Sequence, residues 1–440
     1  MASASLIHID TAAIAAHYDR LHSMGGDIAN GFDRPAYSNE ESMVMQYFAE
    51  QAELSSLNHH YDSVGNLVIE STGAFDHWIE TGSHVDTVPG GGNFDGLAGV
   101  VAGFVALHSI IKSNRELHRG LRLRIWRAEE SAAFGIASIG SLAAFGQLPA
   151  SSLGMDYRSK TLRQAMSDHD VDPAVIETNT PSITTEEKEH ITAYIELHIE
   201  QGKVLETEQC EIGIVTAIRG SKRSWVKLTG TFDHSGATPM GYNYRQDCNL
   251  AMAYMHVRLD TLLSEFNTAG ADLVQTIGII NGADHLTAEL RNNAVSKVSG
   301  VSCFSFEVRG CEAEQVSDYS QQAEKLMQQT AAEFGISVEF DTFSEQGGIA
   351  QLDASLQSLL AVHCDKLELS HINLPSGAWH DAGTVAQQIR ADGSHIPTAM
   401  IFIPCKAGIS HSPLEHATDK QIANGTSLLA NTMLHLAAQD

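Results

Sequence analysis

The sequence predicts an α/β protein whose main domain is interrupted by an inserted βαββαβ domain. Three observations carry this. Apolar segments such as HWIETG, GLRLRIW and ITAYIELHI read as strands, and helical periodicity follows the first of them. Near residue 217 the order changes to strand, helix, strand, strand, helix, strand, a unit that folds as one antiparallel sheet with two helices on one face. Beyond 345 the first pattern resumes, so the expected domains are 1–216 and 345–440, two parts of one domain, with 217–344 inserted.

Residues 10 to 23 and 39 to 54 read as helices covering one face of the sheet, the second opened by Ser38 as N-cap with Glu40 and Glu41 in its first turn. Strands are expected at 65 to 70 and 76 to 82. The stretch GSHVDTVPGGGNFDG then brings His84, Asp86 and, past a Pro89-Gly90-Gly91-Gly92 turn, Asp95 to a strand-end, helix-start edge, where α/β proteins place their sites. A helix from Leu97 to Ile111 keeps Val100, Val101, Phe104, Leu107 and Ile111 at helical spacing. The next strand alternates Leu121, Leu123 and Ile125 against Arg122 and Arg124 and ends on Glu129-Glu130.

A helical region containing GIASIGSLAAFG follows, and the polar stretch 157 to 190 predicts only short helices. ITAYIELHIEQG puts Tyr194, Glu196 and His198 on one strand face and Ile195, Leu197 and Ile199 on the other, with His198 again at a strand's end. The inserted unit comprises SWVKLTGTF, a helix at 245 to 265, ADLVQTIGII, VSGVSCFSFEVRG, a helix at 313 to 335 and ISVEFDTF; Gly220-Ser221 and Gly347-Gly348 are the expected hinges. A helix at 352 to 366, the loop LPSGAWHDAG, the strand TAMIFIPC, the loop KAGISHSPLE and a helix at 417 to 438 complete the chain.

With 440 residues, 43% hydrophobic and 18% charged, the chain can bury a full core. Its formal charge of -27 repels nucleic acid and anionic membrane. The start carries no basic leader with a sustained apolar run, and no stretch is long and apolar enough to span a bilayer, so the expected location is the cytoplasm. Six cysteines without a C-x-x-C pair suggest neither a disulfide framework nor a thiolate zinc site. Most of the 22 histidines, such as His59, His60 and His169, lie in polar stretches and are expected at the surface.

The histidines and acids at strand ends differ from these. His84, Asp86, Asp95, Glu129, Glu130, His198 and His411 collect imidazoles and carboxylates without thiolates, a donor set suited to Zn, Mn, Co or Ni. Two ions fit better than one, because one ion leaves ligands unused while a shared carboxylate bridges ions about 3.5 to 4 Å apart.

GSHVDTVPGGGNFDG, the EES after a hydrophobic strand, ELHIEQG, LPSGAWHDAG and GISHSPLE resemble, in that order and over essentially the full length, the dinuclear metallo-amidohydrolases that include N-carbamoyl-L-amino acid hydrolases and allantoate amidohydrolases, relatives of aminoacylase and carboxypeptidase-type metallopeptidases. The resemblance implies a mixed-sheet, metallopeptidase-like catalytic domain with an inserted lid and dimerisation domain. It implies two divalent ions per subunit, one held by His84, Asp95 and His198 and the other by Asp95, Glu130 and His411. Glu129 would be the general base that deprotonates the attacking water, and Asp86 the carboxylate orienting His84. His234 in FDHSGATPM would reach the active site of the partner subunit in a homodimer and polarise the scissile carbonyl. Arg309 would grip the substrate carboxylate and Gln201 would contact substrate, with His380 of AWHDA beside them in a supporting or structural role. The substrate would be a small ureido or carbamoyl acid, an N-carbamoyl-L-amino acid in preference to allantoate.

Three positions depart from the family pattern. Ser296 stands where an Asn is common, with Asn293 nearby; Arg245-Gln246-Asp247 is displaced by two residues through GYNY; and Trp379 occupies a position that is usually small. All three fall where substrate would be read. Two rival functions remain in view, a dipeptidase or aminoacylase, and a binding protein on a dead hydrolase scaffold. The imidazole of His198, where the peptidase relatives usually offer a carboxylate, argues against the first, and the intact ligand set with Glu129 argues against the second.

Overall fold

The structure is a computed structural model that describes residues 5–346 and 349–439. It divides into two compact units, Met1–Ile218 with Gln351–Asp440, and Arg219–Ala350. The Gly347-Gly348 hinge lies outside the described residues.

In the first unit the chain runs through α1 (Thr11–Leu21), α2 (Asn39–Leu54), β1 (Asn58–Tyr61), β2 (Leu67–Glu70), β3 (Trp78–His84), α3 (Leu97–Lys112), β4 (Gly120–Trp126), β5 (Ile191–Ile199) and β6 (Ile212–Ile218). The second unit contributes β7 (Gly220–Thr229), α4 (Cys248–Thr268), β8 (Leu273–Thr276), β9 (Val301–Gly310), α5 (Ala313–Glu333) and β10 (Ser337–Gln346). The chain then completes the first unit with β11 (Ala350–Gln351), α6 (Ala354–Lys366), β12 (His371–Ser376), α7 (Asp381–Ala386), β13 (Thr398–Ile403) and α8 (Asp419–Ala437).

The first unit is built on a nine-stranded mixed sheet in the order β11-β6-β13-β5-β3-β4-β2-β1, with β12 beside β6. Its centre, β13-β5-β3-β4, is parallel, and β2, β1 and β6 extend it antiparallel on the two sides. The mixed α/β class is therefore the one the sequence predicts. α3 is apolar on every side because it is buried on every side, with Leu97 through Leu107 out of solvent, the mark of a helix inside a core. It lies on β3, β4 and β5 and packs against α8. α2 reaches the sheet at β1 and β2, whereas α1 lies on α3 and α8 instead of on the sheet itself.

Arg122 and Arg124, which alternate with apolar residues in β4, are buried along with the rest of that strand. Glu80 of β3 makes this tolerable, since its carboxylate receives Arg122 Nη1 at 2.5 Å and Arg124 Nε at 2.7 Å.

Four strands of this sheet escaped the sequence, the short β11 and β12 among them. β6, IGIVTAI, is a short continuous apolar run buried almost throughout, which carries no alternation to reveal it. β1, NHHY, is an edge strand whose side chains are largely exposed, so it has no apolar face. The expected LPSGAWHDAG loop is shorter than foreseen, because β12 extends through Ser376 in parallel with β6 and α7 starts at Asp381.

In the second unit the sheet order is β8-β9-β7-β10, every pair antiparallel, with α4 and α5 packed on it around Phe304, Phe306, Tyr319 and Phe334. No helix among the described residues is long and apolar enough to cross a membrane.

Candidate metal centre

The parallel strands at the centre of the sheet end together. His84 closes β3 in register with Trp126 of β4, and His198 sits next to the end of β5 opposite Phe402 of β13. Glu129-Glu130 follow β4 and His411 follows β13, so four chain segments converge at one edge. Asp95 precedes α3, whose N-terminal partial positive charge favours a carboxylate there.

Asp95 is the hub. Its Oδ1 lies 3.1 Å from His198 Nε2 and 3.5 Å from His84 Nε2, and its Oδ2 lies 3.3 Å from His411 Nε2. His411 Nε2 is also 3.2 Å from Glu130 Oε1. The donor atoms of His84, Asp95 and His198 fall within 4.8 Å of one another, and those of Asp95, Glu130 and His411 form a second such group. Two imidazoles are oriented for ligation from behind. His198 Nδ1 is 2.8 Å from the Ile199 carbonyl and His84 Nδ1 is 3.3 Å from Asp86 Oδ1, acceptors that keep the ring proton on Nδ1 and leave Nε2 for a metal.

The backbone is shaped to this end. Gly96 turns at φ +62, and a Cβ there would stand 2.4 Å from the His84 ring, so only glycine lets Asp95 and His84 face each other. Ala128, Ser138, Gln201 and His411, all around the site, also hold positive φ, between 56 and 57 degrees. Such conformations gather where surrounding structure over-determines them, as at functional sites.

The electrostatics are those of a cation host. Hydrogen bonds to Asp95 and Glu130 raise the His411 imidazole to about 11. Burial works against charge at His84 and His198, yet their carboxylate partners prevail and raise both, His84 well above its ordinary value. Burial opposes the ionised form of Asp95 too, and its bonds to His198, His411 and His84 hold it well below the usual carboxylate range. Because the His411 imidazole keeps its proton into the alkaline range, a divalent ion must displace it, so metal affinity should rise with pH from 6 to 9 and loading at pH 8 should release protons. Calorimetric titration in buffers of different ionisation heat would read that release, and a heat independent of buffer would contradict it.

Glu129 belongs to neither donor group. Its Oε2 is 3.9 Å from His84 Nε2, and Ser138 Oγ donates to its Oε1 at 3.4 Å. Burial, with Glu130 and Asp381 adding to it against the opposing His84, pushes its carboxyl well above the usual range. Asp86 accepts from the backbone N–H groups of Glu129 and Glu130 at 3.1 and 3.0 Å, so it orients His84 and anchors both glutamates.

Gln201 Nε2 donates to Asp95 Oδ2 at 2.7 Å, while its Oε1 is buried with no hydrogen-bond partner among the described residues. His380 packs edge-on to His198 with ring centroids 4.4 Å apart, and its Nε2 bonds Ser376 Oγ at 2.9 Å. Burial and the neighbouring His198 keep it neutral, so it buttresses His198. Glu196, His198 and His380 form a third donor group, but Glu196 already accepts from Ser83 Oγ and Ala382 N–H, which makes this a hydrogen-bonded layer behind His198.

Glu415 was missed by the sequence reading, although it ends GISHSPLE. Its Oε1 accepts from Phe94 and Asp95 N–H at 2.9 Å each and its Oε2 from His411 N–H at 3.3 Å, tying the two loops that carry Asp95 and His411.

His234 and Arg309 belong to the second unit. His234 is exposed, and its Nδ1 accepts from Gly236 and Ala237 N–H at 3.1 Å each, an arrangement that leaves Nε2 as the ring's donor. Arg245 secures this loop by donating to the Ser235 and Thr238 carbonyls at 2.6 Å, and Asp247 caps α4, which accounts for the displaced Arg-Gln-Asp. Arg309 Nη2 lies 2.9 Å from Glu307 Oε1. Asn293 is spent internally on Val301 and Ser299, and Trp379 lies over Gly383.

Residues 58–435 match Peptidase family M20/M25/M40. Allantoate amidohydrolase of Escherichia coli K12 is 31% identical over 423 residues, covering 95% of this chain and 96% of that protein. N-carbamoyl-L-amino acid amidohydrolase of Geobacillus stearothermophilus is 30% identical over 423 residues, again covering 95% and 96%. Among solved structures, a hydantoinase/carbamoylase family amidase from Burkholderia ambifaria aligns with a TM-score of 0.84 at 28% identity, covering 98% of this chain and 99% of that one. With the family match running from β1 to the last turns of α8 and two donor groups meeting at Asp95, the chain belongs to the metal-dependent peptidase family M20/M25/M40.

Proposed function

We propose that the protein hydrolyses a non-peptide C–N bond of a small ureido or carbamoyl acid, with an N-carbamoyl-L-amino acid as the favoured substrate. The observation that carries this is the pair of donor groups that share Asp95, with the Glu129 carboxylate beside them and a member of neither. The activities named for the relatives support the bond type. Allantoate is the second substrate reading, favoured by the 31% identity to the Escherichia coli enzyme.

Two divalent ions, of Zn, Mn, Co or Ni, fit the donors, which are imidazole and carboxylate throughout. Bound there, they would supply Lewis acidity toward the substrate carbonyl and water. Glu129 takes the proton of the attacking water and passes it to the leaving nitrogen as the C–N bond breaks. Asp86 keeps His84 and the backbone of both glutamates in place during this transfer. Gln201 offers its unpartnered Oε1 to a substrate N–H. Arg309 takes the substrate carboxylate as a bidentate partner, sharing itself with Glu307. For a carbamoyl amino acid the products are the amino acid, ammonia and carbon dioxide.

The same proposal makes Arg219–Ala350 a lid and dimerisation domain, and the protein a cytoplasmic homodimer. A panel of N-carbamoyl amino acids, allantoate, other ureido acids, dipeptides and N-acyl amino acids, each assayed with Mn, Zn, Co and Ni, tests the substrate class. Turnover confined to dipeptides or N-acyl amino acids would overturn it, and turnover of nothing in the panel would favour the dead scaffold.

His234 gives a separate test. An Nε2–H donor on an exposed ring suits a carbonyl oxygen gaining negative charge, and His234→Ala should lower turnover about a hundredfold with both ions retained. Mixing His234→Ala with Glu129→Gln chains should restore activity, since one site of each heterodimer then combines an intact Glu129 with an intact His234. Heterodimers as inactive as either parent would show that His234 does not serve a partner's site.

A further inference from the structure

We propose that Glu41, in the first turn of α2, is a positioning residue for the Glu129–Glu130 pair, fixing the left-handed backbone at Ala128 from which both glutamates are aimed; this rests on Glu129 being the general base. Glu41 is fully buried, and its two oxygens do different things. Oε2 accepts from Tyr37 N–H and Arg127 Nη1, both at 2.7 Å, which closes the start of α2 and neutralises the charge. Oε1 accepts from Ala128 N–H at 2.9 Å, a contact that does nothing for α2. The next two amides of the same strand end go to Asp86, so three successive N–H groups are held by two buried carboxylates from different elements.

The held residue is the strained one. Ala128 has φ 57, a conformation that alanine resists and glycine adopts freely. It stands between a strand and the general base, so relaxing it would swing Glu129 while leaving Asp95, His84 and His198 where they are. Arg127 anchors the same turn through Gly65 O, Ser42 Oγ and, by its backbone N–H, Asn66 Oδ1.

The test is Glu41→Gln alone and with Ala128→Gly. The amide can accept one of these N–H groups only by turning its own NH2 toward another donor. Glu41→Gln should therefore lower kcat per chain that holds both ions about tenfold or more, with KM within about twofold, and should weaken retention of the ion that Glu130 helps to hold while leaving that of His84, Asp95 and His198. Hydrogen exchange should quicken at the amides of 128, 129 and 130. Adding Ala128→Gly should recover about threefold in kcat and restore slow exchange at 129 and 130, because glycine keeps the turn without the carboxylate. An unchanged kcat per folded, metal-loaded chain, with any loss confined to the folded fraction and no gain from Ala128→Gly, would overturn the proposal. Should Glu41→Gln not fold, a folded Glu41→Gln/Ala128→Gly chain supports the brace, and failure of the double variant overturns it. If the wild type hydrolyses nothing in the panel, the general-base reading fails, while the exchange pattern still decides whether Glu41 holds this backbone.

Discussion

Glu129→Gln should retain both ions and the fold while losing about a hundredfold to ten-thousandfold in turnover, the scale of a missing general base. Glutamine has the size of glutamate and can still accept from Ser138 Oγ, and its backbone N–H stays with Asp86. What it cannot do is take a proton. Because Glu129 is outside both donor groups, the ions have no reason to leave. Glu130→Gln is the control: it removes the oxygen 3.2 Å from His411 Nε2, so it should lower metal content along with activity. Two ions per chain in both variants, measured by elemental analysis after gel filtration, would refute the division of labour between adjacent glutamates. Near wild-type turnover in Glu129→Gln would remove it from the mechanism.

The gathering of these residues at one edge was legible in the sequence because strand ends are legible. A hydrophobic strand such as GLRLRIW stops where polar residues begin, and whatever follows it in a parallel sheet lies on the ligand-binding edge. His84, Glu130 and His198 could be assigned to that edge one by one, and Asp95 by its place before a helix. Long-range polar partners were not legible. Glu415 touches Asp95 from 320 residues away, and Glu41 touches Ala128 across 87. No local pattern marks such pairs, and a buried glutamate in the first turn of a helix reads in sequence as a helix-start preference. The edge strand β1 and the buried strand β6 were hidden for opposite reasons, one lacking an apolar face and the other lacking a polar one. Asp86 was expected to orient His84 and lies 3.3 Å from its Nδ1, but its hold on two backbone amides needed coordinates.

Asp95→Asn should have the largest effect of all, loss of both ions and of detectable turnover. Each oxygen of Asp95 serves a different donor group, Oδ1 toward His84 and His198 and Oδ2 toward His411. Asparagine keeps only one oxygen, and its NH2 must then face either the imidazole Nε2 atoms or the donors Gln201 Nε2 and Ser410 Oγ, which lie 2.7 and 2.8 Å from Oδ2. The second arrangement places donor against donor, so the amide should turn its NH2 toward His84 and His198 and cost that group its carboxylate outright. The other group keeps a neutral oxygen where an anion had balanced an ion's charge. His411→Ala separates the two effects. His411 is half-exposed and belongs to one group alone, so its loss leaves His84, Asp95 and His198 complete and should remove one ion of the two. Metal content measured across a titration of added ion should thus fall to less than one per chain in Asp95→Asn and to about one in His411→Ala. Equal losses in the two variants would mean that Asp95 is an ordinary ligand of one site, and the shared carboxylate on which the dinuclear proposal stands would be gone.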